Sequence, residues 1–453
     1  MAKHFDSIYK SATLVIKNPR TQQLKSEILD LAVKDGRIAE IGSSFSWDAP
    51  IVHDLKHLHV LPGMIDSQVH FRDPGLTHKE DIESGSLQAL MGGVTAYFEM
   101  PNTKPPTTTV EALQTKMQTA REKSYVHWAF YGGASHDNLS ALHDMERTPH
   151  CPGIKLFMGS STGNLLVAEK DLLAEVLRQT RKRLVVHCEY EARLIERREI
   201  AEKAGHPRAH CIWRDEESAF LATELLVNMA REMGRQVHVL HVSSKKEMEF
   251  LKTQKKTATV EVLANHLHLH APDCYERLGT LAQQNPPVRE KFHQDALWRG
   301  IVDGTVDILA TDHAPHTLAE KLEARYPATP SGMPGVQTFV PIFLDSIKKG
   351  RITLELFCQL ASENPARIFG VQGKGRLEPG FDADLTIVDL QKEWTIQNKW
   401  IRSKSQWSPF DGQKICGRVE KTVLLGQLAM SDDTVIGRPH GLGLNFSTGP
   451  ASL

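Results

Sequence analysis

The chain has 453 residues, 40% of them hydrophobic and 24% charged, a balance that belongs to folded globular proteins and excludes disordered and collagen-like classes. Single cores stop growing near roughly 250–300 residues, so the length predicts one large domain joined to a smaller one. Lys and Arg number 54 against 55 for Asp and Glu, a formal net charge of -1, which leaves no global field to hold a phosphate backbone.

Taken in order, the first twenty residues carry an apolar run too short for a signal peptide, and no segment approaches a membrane span. Leu29–Gly42 alternates like two paired strands around Asp35-Gly36. From about Val60 to Gly370, short β-branched or aromatic runs alternate with longer amphipathic stretches. The strand candidates are Val60–Phe71, Val94–Pro101, Tyr125–Gly132, Gly153–Gly159, Leu184–Cys188, Gln236–Val242, Thr257–Asn265 and Val306–Asp312. Between them lie helix-like stretches such as Thr107–Lys123, Val167–Lys182, Glu216–Gly234 and Gln294–Gly304. The alternation predicts an α/β fold, a (β/α)8 TIM-like barrel over residues 62–371. A doubly wound sheet would usually show a glycine-rich first turn, and none follows the first strand.

The basic runs Arg178–Arg183 and Lys245–Lys256 fall in helix-like stretches and read as solvated faces. Ala319–Gly335, rich in Pro and Gly, reads as a loop bordering the mouth, either a mobile lid or a plain surface excursion. Leu377–Asp389 again alternates, around Pro379-Gly380. Neither flank is long enough to fold well alone. Residues 1–61 and 372–453 are therefore expected to join in one small β-sandwich, with an irregular tail from Ser431. The six cysteines (Cys151, Cys188, Cys211, Cys274, Cys358, Cys416) form no CxxC pair, which fits a reducing, cytoplasmic setting.

Active sites of such barrels lie at the C-terminal ends of the strands, and polar residues concentrate there. The first strand ends in Gln68-Val69-His70-Phe71-Arg72 and the second in Pro101-Asn102. The fourth carries Lys155, the fifth His187 and the sixth His241; the eighth ends in Asp312, with His313 and His316 following. Three imidazoles, a carboxylate and a lysine converging from different strands make the ligand set of a hydrolytic zinc centre. The run Asn265-His266-Leu267-His268-Leu269-His270 looks like a richer metal box, because alternation would put three imidazoles on one face. It runs past the seventh strand toward Pro272, however, which argues against ligation.

Together DSQVHFRDPG (Asp66–Gly75), MPNT (Met100–Thr103), GIKLFMGSSTG (Gly153–Gly163), VHCE (Val186–Glu189), HVS (His241–Ser243), NPPVR (Asn285–Arg289) and TDHAPH (Thr311–His316) resemble bacterial dihydroorotases of the amidohydrolase superfamily. The resemblance spans both flanks and the barrel. It implies a binuclear zinc site that interconverts N-carbamoyl-L-aspartate and L-dihydroorotate in pyrimidine synthesis. It further implies His70 as a ligand of the first metal and His187 and His241 as ligands of the second. Lys155 becomes the carboxylated lysine that bridges both, and Asp312 a ligand that also shuttles protons. Arg72, Asn102 and His316 match the holders of the substrate carboxylate, and Asn285 matches a further substrate-loop contact. Homodimers are common among similar enzymes.

One departure stands out. Most of the superfamily has His-x-His on the first strand, where this chain has Gln68-Val69-His70. An amide oxygen is a poorer zinc ligand than imidazole, so the first metal is expected to be held more weakly, exchanged or absent. Two other functions stay open at this stage. One is a hydantoinase or allantoinase type of cyclic amide hydrolase, whose rings lack the exocyclic carboxylate. The other is a catalytically silent subunit assembled with a carbamoyltransferase, against which the retention of Lys155, His187, His241 and Asp312 weighs.

Overall fold

The computed structural model describes residues 3–43, 46–160 and 165–447. Eight parallel strands form a barrel: β1 (Met64–Val69), β2 (Val94–Glu99), β3 (His127–Phe130), β4 (Ile154–Phe157), β5 (Leu184–His187), β6 (Val237–Val239), β7 (Ala258–Leu263) and β8 (Ile308–Ala310). Each pairs in parallel with its successor, and Gly132–Gly133 carries the pairing from β3 toward β4. The ring closes where the His70 N–H donates to the His313 carbonyl at 2.7 Å. All eight barrel strands are buried throughout, as parallel strands covered on both faces must be. That is why their sequences read as continuous apolar runs.

The expected first strand is split. His59–Pro62 belongs to an outer sheet, and the chain enters the barrel only after Gly63. The helix-like stretches fold as Val110–Lys123, Lys170–Gln179, Glu216–Glu232 and Lys291–Val302. Two of them start where a side chain caps the first turn: Thr109 accepts from the Ala112 N–H and Asp215 from the Ser218 N–H.

Strands from both flanks form one nine-stranded sheet, joined where Leu385–Thr395 pairs antiparallel with His59–Pro62. The expected sandwich is thus a single sheet that curls. Its far strand, Arg37–Gly42, returns to the segment before Leu385, with the Ile38 N–H on the Phe381 carbonyl and the Gly380 N–H on the Ile38 carbonyl, both 2.8 Å. Tyr9, Leu14, Leu31, Val60, Leu385 and Val423 fill the space enclosed. Asp35 and Gly36 both have positive φ, 51° and 75°, the two-residue turn that matches strand twist and that Asp-Gly supplies.

The tail is more regular than expected. Thr434–Val435 adds a strand to the sheet, and the Leu442 carbonyl and Leu444 N–H then bond Trp128 of β3 at 3.1 and 2.9 Å. The first basic run is only partly solvated, because Lys182 donates to the Cys151 carbonyl and Arg183 is buried against Gln236. All six cysteines are free and buried. No helix among the described residues is long and apolar enough to cross a membrane.

Candidate active site

Three residues at the strand ends carry positive φ without being glycine: Arg72 (63°), His241 (39°) and Asp312 (48°). Each left-handed conformation costs an L-residue of order 1–3 kcal/mol and persists where a site demands it. The turns aim side chains from β1, β6 and β8 into one mouth, beside His187 at the end of β5 and Lys155 within β4.

The metal-binding candidates meet as two pairs. His70 Nε2 lies 3.0 Å from Asp312 Oδ1, and His187 Nδ1 lies 3.1 Å from His241 Nε2. Lys155 Nζ is buried with no hydrogen-bond partner. Burial lowers its pKa to about 8, and the charge of Asp312 resists that shift. The lysine's own charge acts on His70, His187 and His241, and all three are held below the usual imidazole range, first by burial. The mouth therefore favours neutral imidazoles, the form that can bind a metal.

Neighbouring groups set which ring nitrogens face inward. His70 presents Nδ1 to Asn102 Oδ1 at 2.6 Å, leaving Nε2 for the mouth. His187 presents Nε2 to the Glu189 carboxylate at 2.9 Å, leaving Nδ1. Glu189 is in turn gripped by Arg214, whose Nε lies 3.0 and 3.1 Å from its two oxygens, and Arg214 helps to hold the acid well below the usual carboxylate range against the cost of burial. A carboxylate behind a histidine fixes the tautomer and raises basicity toward a metal. Gln68 donates Nε2 to Asp312 Oδ1 at 3.1 Å, while its buried Oε1 has no partner.

Among the described residues, no cluster of three or more His, Cys, Asp and Glu side chains is placed to hold one metal. Each pair supplies two donors where zinc takes three or four. Among the described residues, Lys155 is a buried group without a hydrogen-bond partner whose charge acts on members of both pairs. A divalent ion at each pair therefore fits these residues if Lys155 supplies a shared anionic bridge, as a carbamate on Nζ would. A protonated amine has no lone pair to offer.

The residues expected to hold a carboxylate split into two kinds. Arg72 is buried, donates Nε to the Pro315 carbonyl at 3.2 Å and leaves Nη1 with no partner. No carboxylate among the described residues pairs with it at ion-pair distance, and burial lowers its pKa to about 10. His316 is fully occupied: Nδ1 meets Lys79 Nζ at 3.0 Å, and Nε2 meets the Ser331 carbonyl at 3.0 Å and Arg72 Nη2 at 3.3 Å. In this structure His316 packs beside Arg72, which the Pro315 carbonyl holds, and the Oδ1 of Asn102 buttresses His70. Asn285 Oδ1 receives His210 Nε2 at 2.9 Å, on a buried ring whose pKa falls to about 3.

Sequence reasoning missed Glu189, Arg214, His210 and Lys79 as parts of this site. Glu189 carried a signal, an acid two residues beyond a strand-end histidine. The others lie on segments whose approach only the fold reveals. The histidine-rich run proves structural. Ala264–His268 turns into a helix, which breaks the alternation. His266 bonds the Pro286 carbonyl, and His268 bonds Ser346 between the rings of Trp298 and Phe343. His313 turns away to accept from the Gly335 and Val336 N–H groups. Of the GIKLFMGSSTG motif, residues 161–163 lie outside the described residues.

A barrel whose strand ends gather imidazoles, an acid and an unpartnered lysine matches the amidohydrolase family description over residues 59–429. The chain belongs to the amidohydrolase family. The dihydroorotase of Methanosarcina mazei is 33% identical over 444 residues, 94% of this chain and 95% of that protein. The dihydroorotase of Pyrococcus abyssi is 36% identical over 417 residues, 91% and 93%. Among solved structures, the L-hydantoinase (dihydropyrimidinase) of Arthrobacter aurescens superposes with a TM-score of 0.92 at 29% identity, covering 97% of this chain and all of its own. A D-hydantoinase superposes at 0.88 and 26%, covering 97% and 99%.

Proposed function

We propose that this enzyme is a dihydroorotase, which closes N-carbamoyl-L-aspartate to L-dihydroorotate and water, and reverses that step, in pyrimidine (UMP) synthesis. The observation that carries the choice of substrate is Arg72, a buried guanidinium with no carboxylate partner among the described residues and a free Nη1 at the mouth. A permanently charged planar fork in that state is completed by a substrate carboxylate. The dihydroorotase relatives, matched over nearly their whole length, point the same way.

The reading assigns His70 and Asp312 to one zinc ion, His187 and His241 to another, and a carboxylated Lys155 to the bridge between them. Bound zinc supplies a water of pKa about 7 and polarises the ring carbonyl. Asp312 accepts a proton and delivers it to the leaving ring nitrogen, serving as base and then acid. Arg72, held through Nε by the Pro315 carbonyl with His316 beside it, fixes the exocyclic carboxylate, with Asn102 and Asn285 completing the substrate contacts. The two ions are not held equally. His187 and His241 are two imidazoles, one with a carboxylate behind it, whereas His70 is backed by the amide of Asn102 and has the amide of Gln68 beside its partner Asp312.

The L-hydantoinase likeness, at a TM-score of 0.92, favours a second reading in which the ring lacks an exocyclic carboxylate. One assay separates the two. The zinc-loaded protein is tested on dihydroorotate, hydantoin and allantoin by ring absorbance, with metal per chain measured before and after dialysis against a weak chelator. The expected result is turnover of dihydroorotate, with one ion retained and the other lost on dialysis. Turnover of hydantoin without dihydroorotate establishes the second reading, and a zinc-loaded protein inactive on all three overturns both.

A further inference from the structure

Lys321 is completely buried, yet it belongs to none of the metal or substrate assignments above. It lies in the short helix Leu318–Glu323, at the start of the segment that the sequence marks as a loop bordering the mouth. No carboxylate among the described residues pairs with it at ion-pair distance. Burial alone draws its pKa down to about 7. A buried amine without a counter-ion is costly, and an apolar side chain of the same length would fill the space at less cost. Its polar end must therefore act through what it touches.

It touches two backbone carbonyls, Gln283 O at 2.9 Å and Pro330 O at 3.0 Å. These belong to different loops, the one after β7 that leads to Asn285 and the one after β8 that returns past His316. The Gln283 carbonyl also receives the Gly332 N–H at 2.9 Å, and the Gln283 side-chain amide donates to the Thr329 carbonyl at 2.7 Å. Ser331, between the two bonded residues, offers the carbonyl that receives His316 Nε2. Gly332 allows this close approach: its φ is +145°, and a Cβ there would lie 2.3 Å from the Ala314 carbonyl oxygen. From the other side the Trp407 indole N–H donates to the His316 carbonyl at 2.9 Å, and its ring centre lies 5.9 Å from Lys321 Nζ. Lys321 thus ties together the backbone that seats His316 and the preceding Pro315, whose carbonyl receives Arg72 Nε at 3.2 Å.

We propose that Lys321 is a positioning residue for the substrate-carboxylate site, cross-linking the loops after β7 and β8 so that the backbone of Pro315 and His316 keeps Arg72 in its binding geometry. The inference rests on the dihydroorotase reading for its substrate but not for its geometry. Both carbonyl bonds survive loss of the proton, because a neutral amine keeps two N–H donors.

Two variants of the zinc-loaded enzyme test the role, Lys321→Met and Lys321→Gln. In Lys321→Met, KM for dihydroorotate rises about tenfold or more while kcat changes less than about threefold and zinc content holds. Lys321→Gln, whose amide keeps two N–H groups, recovers part of the KM. Hydrogen exchange, which needs no turnover, rises in Lys321→Met at residues 283–285, 314–317 and 330–332 and stays at wild-type levels elsewhere in the barrel. Wild-type exchange at those segments overturns the cross-link, whatever the substrate proves to be. Raised exchange there with an unchanged KM overturns the positioning role. A wild-type enzyme inactive on dihydroorotate refutes the substrate assignment and leaves the exchange result to decide the cross-link.

Discussion

Two regions of this molecule bury ionisable groups to the same depth and treat them in opposite ways. At the seam between the curled sheet and the barrel, Asp384 receives Lys374 Nζ at 2.5 Å, His127 Nε2 at 3.2 Å and the Leu425 N–H at 2.9 Å. Those partners hold its carboxyl below the usual range despite burial. Glu363, nearby, is bridged by Lys17 at 2.5 Å and Arg376 at 3.1 Å. At the mouth, Lys155 and Arg72 have no carboxylate at ion-pair distance among the described residues, and burial draws them down to about 8 and about 10. Glu261, behind His241, is pushed up to about 8. A cationic partner, rather than depth or the number of hydrogen bonds, sets Asp384 apart: it faces Lys374, whereas Glu261 is held by Ser67, the His241 N–H and the neutral ring of His238. Seam charges are committed to the fold, while the cations at the mouth, Lys155 and Arg72, are left open for ligands.

The largest effect expected from this division is on Asp312. Asp312→Asn keeps the size and most of the hydrogen bonding of the side chain but removes the proton acceptor, so kcat falls by about 10³. The ion at His187 and His241 stays bound and stability is unchanged. A modest loss of kcat with the metal intact would end the assignment. Arg72→Met comes next: KM for dihydroorotate rises about a hundredfold with little loss of zinc. Removing a buried cation that lacks a counter-ion leaves the folded state no less stable in urea, and an unchanged KM would remove the carboxylate clamp. At the seam the signs exchange. Asp384→Asn leaves Lys374 buried with half its partners, costs about 3 kcal/mol of stability and leaves kcat and KM alone.

The barrel was readable because its strands and helices have periods set by burial on two faces or one, and no long-range fact is needed to see them. The site was readable in part for the same reason: polar residues such as Lys155, His187 and His241 interrupt apolar runs near strand ends, where a packed core would have no use for them. What could not be read depends on approach between distant segments. The split of the first strand at Gly63, the curl that brings Arg37–Gly42 to Phe381 and the return of the tail to Trp128 are tertiary facts. His210 under Asn285 and Lys79 on His316 are likewise invisible along the chain. The run from His266 to His270 misleads for a complementary reason. Its alternation mimics a strand, but the backbone turns helical at Ala264, and His266 and His268 bond separate partners, Pro286 and Ser346, instead of a common centre.

The smallest effect is the pH dependence of stability in the metal-free protein, where seam and mouth should have opposite signs. Asp384 is depressed in the folded state, so its contribution is complete above the ordinary carboxylate value of about 4 and is lost as the pH falls below it. Asp66 and Glu261 are raised by burial, to about 7 and about 8. Between the ordinary value and those raised values, the folded state keeps protons that the unfolded chain has released. The contribution of these two groups therefore declines as the pH climbs through that interval, by of order 1 kcal/mol per unit for each that titrates fully, while the buried histidines, held below the usual imidazole range, add stability as the pH rises. The difference in urea stability between the metal-free wild type and Glu261→Gln, taken at several values between pH 5 and pH 7, cancels the histidines and should fall as the pH climbs, with the same fall in an Asp384→Asn background. The Asp384→Asn variant should instead lose part of the acid limb below about pH 4, the rest belonging to other depressed carboxyls such as Glu189 and Asp215. A difference that does not fall as the pH climbs would mean that Glu261 ionises in the folded state as readily as Asp384, and the distinction between the two regions would fail.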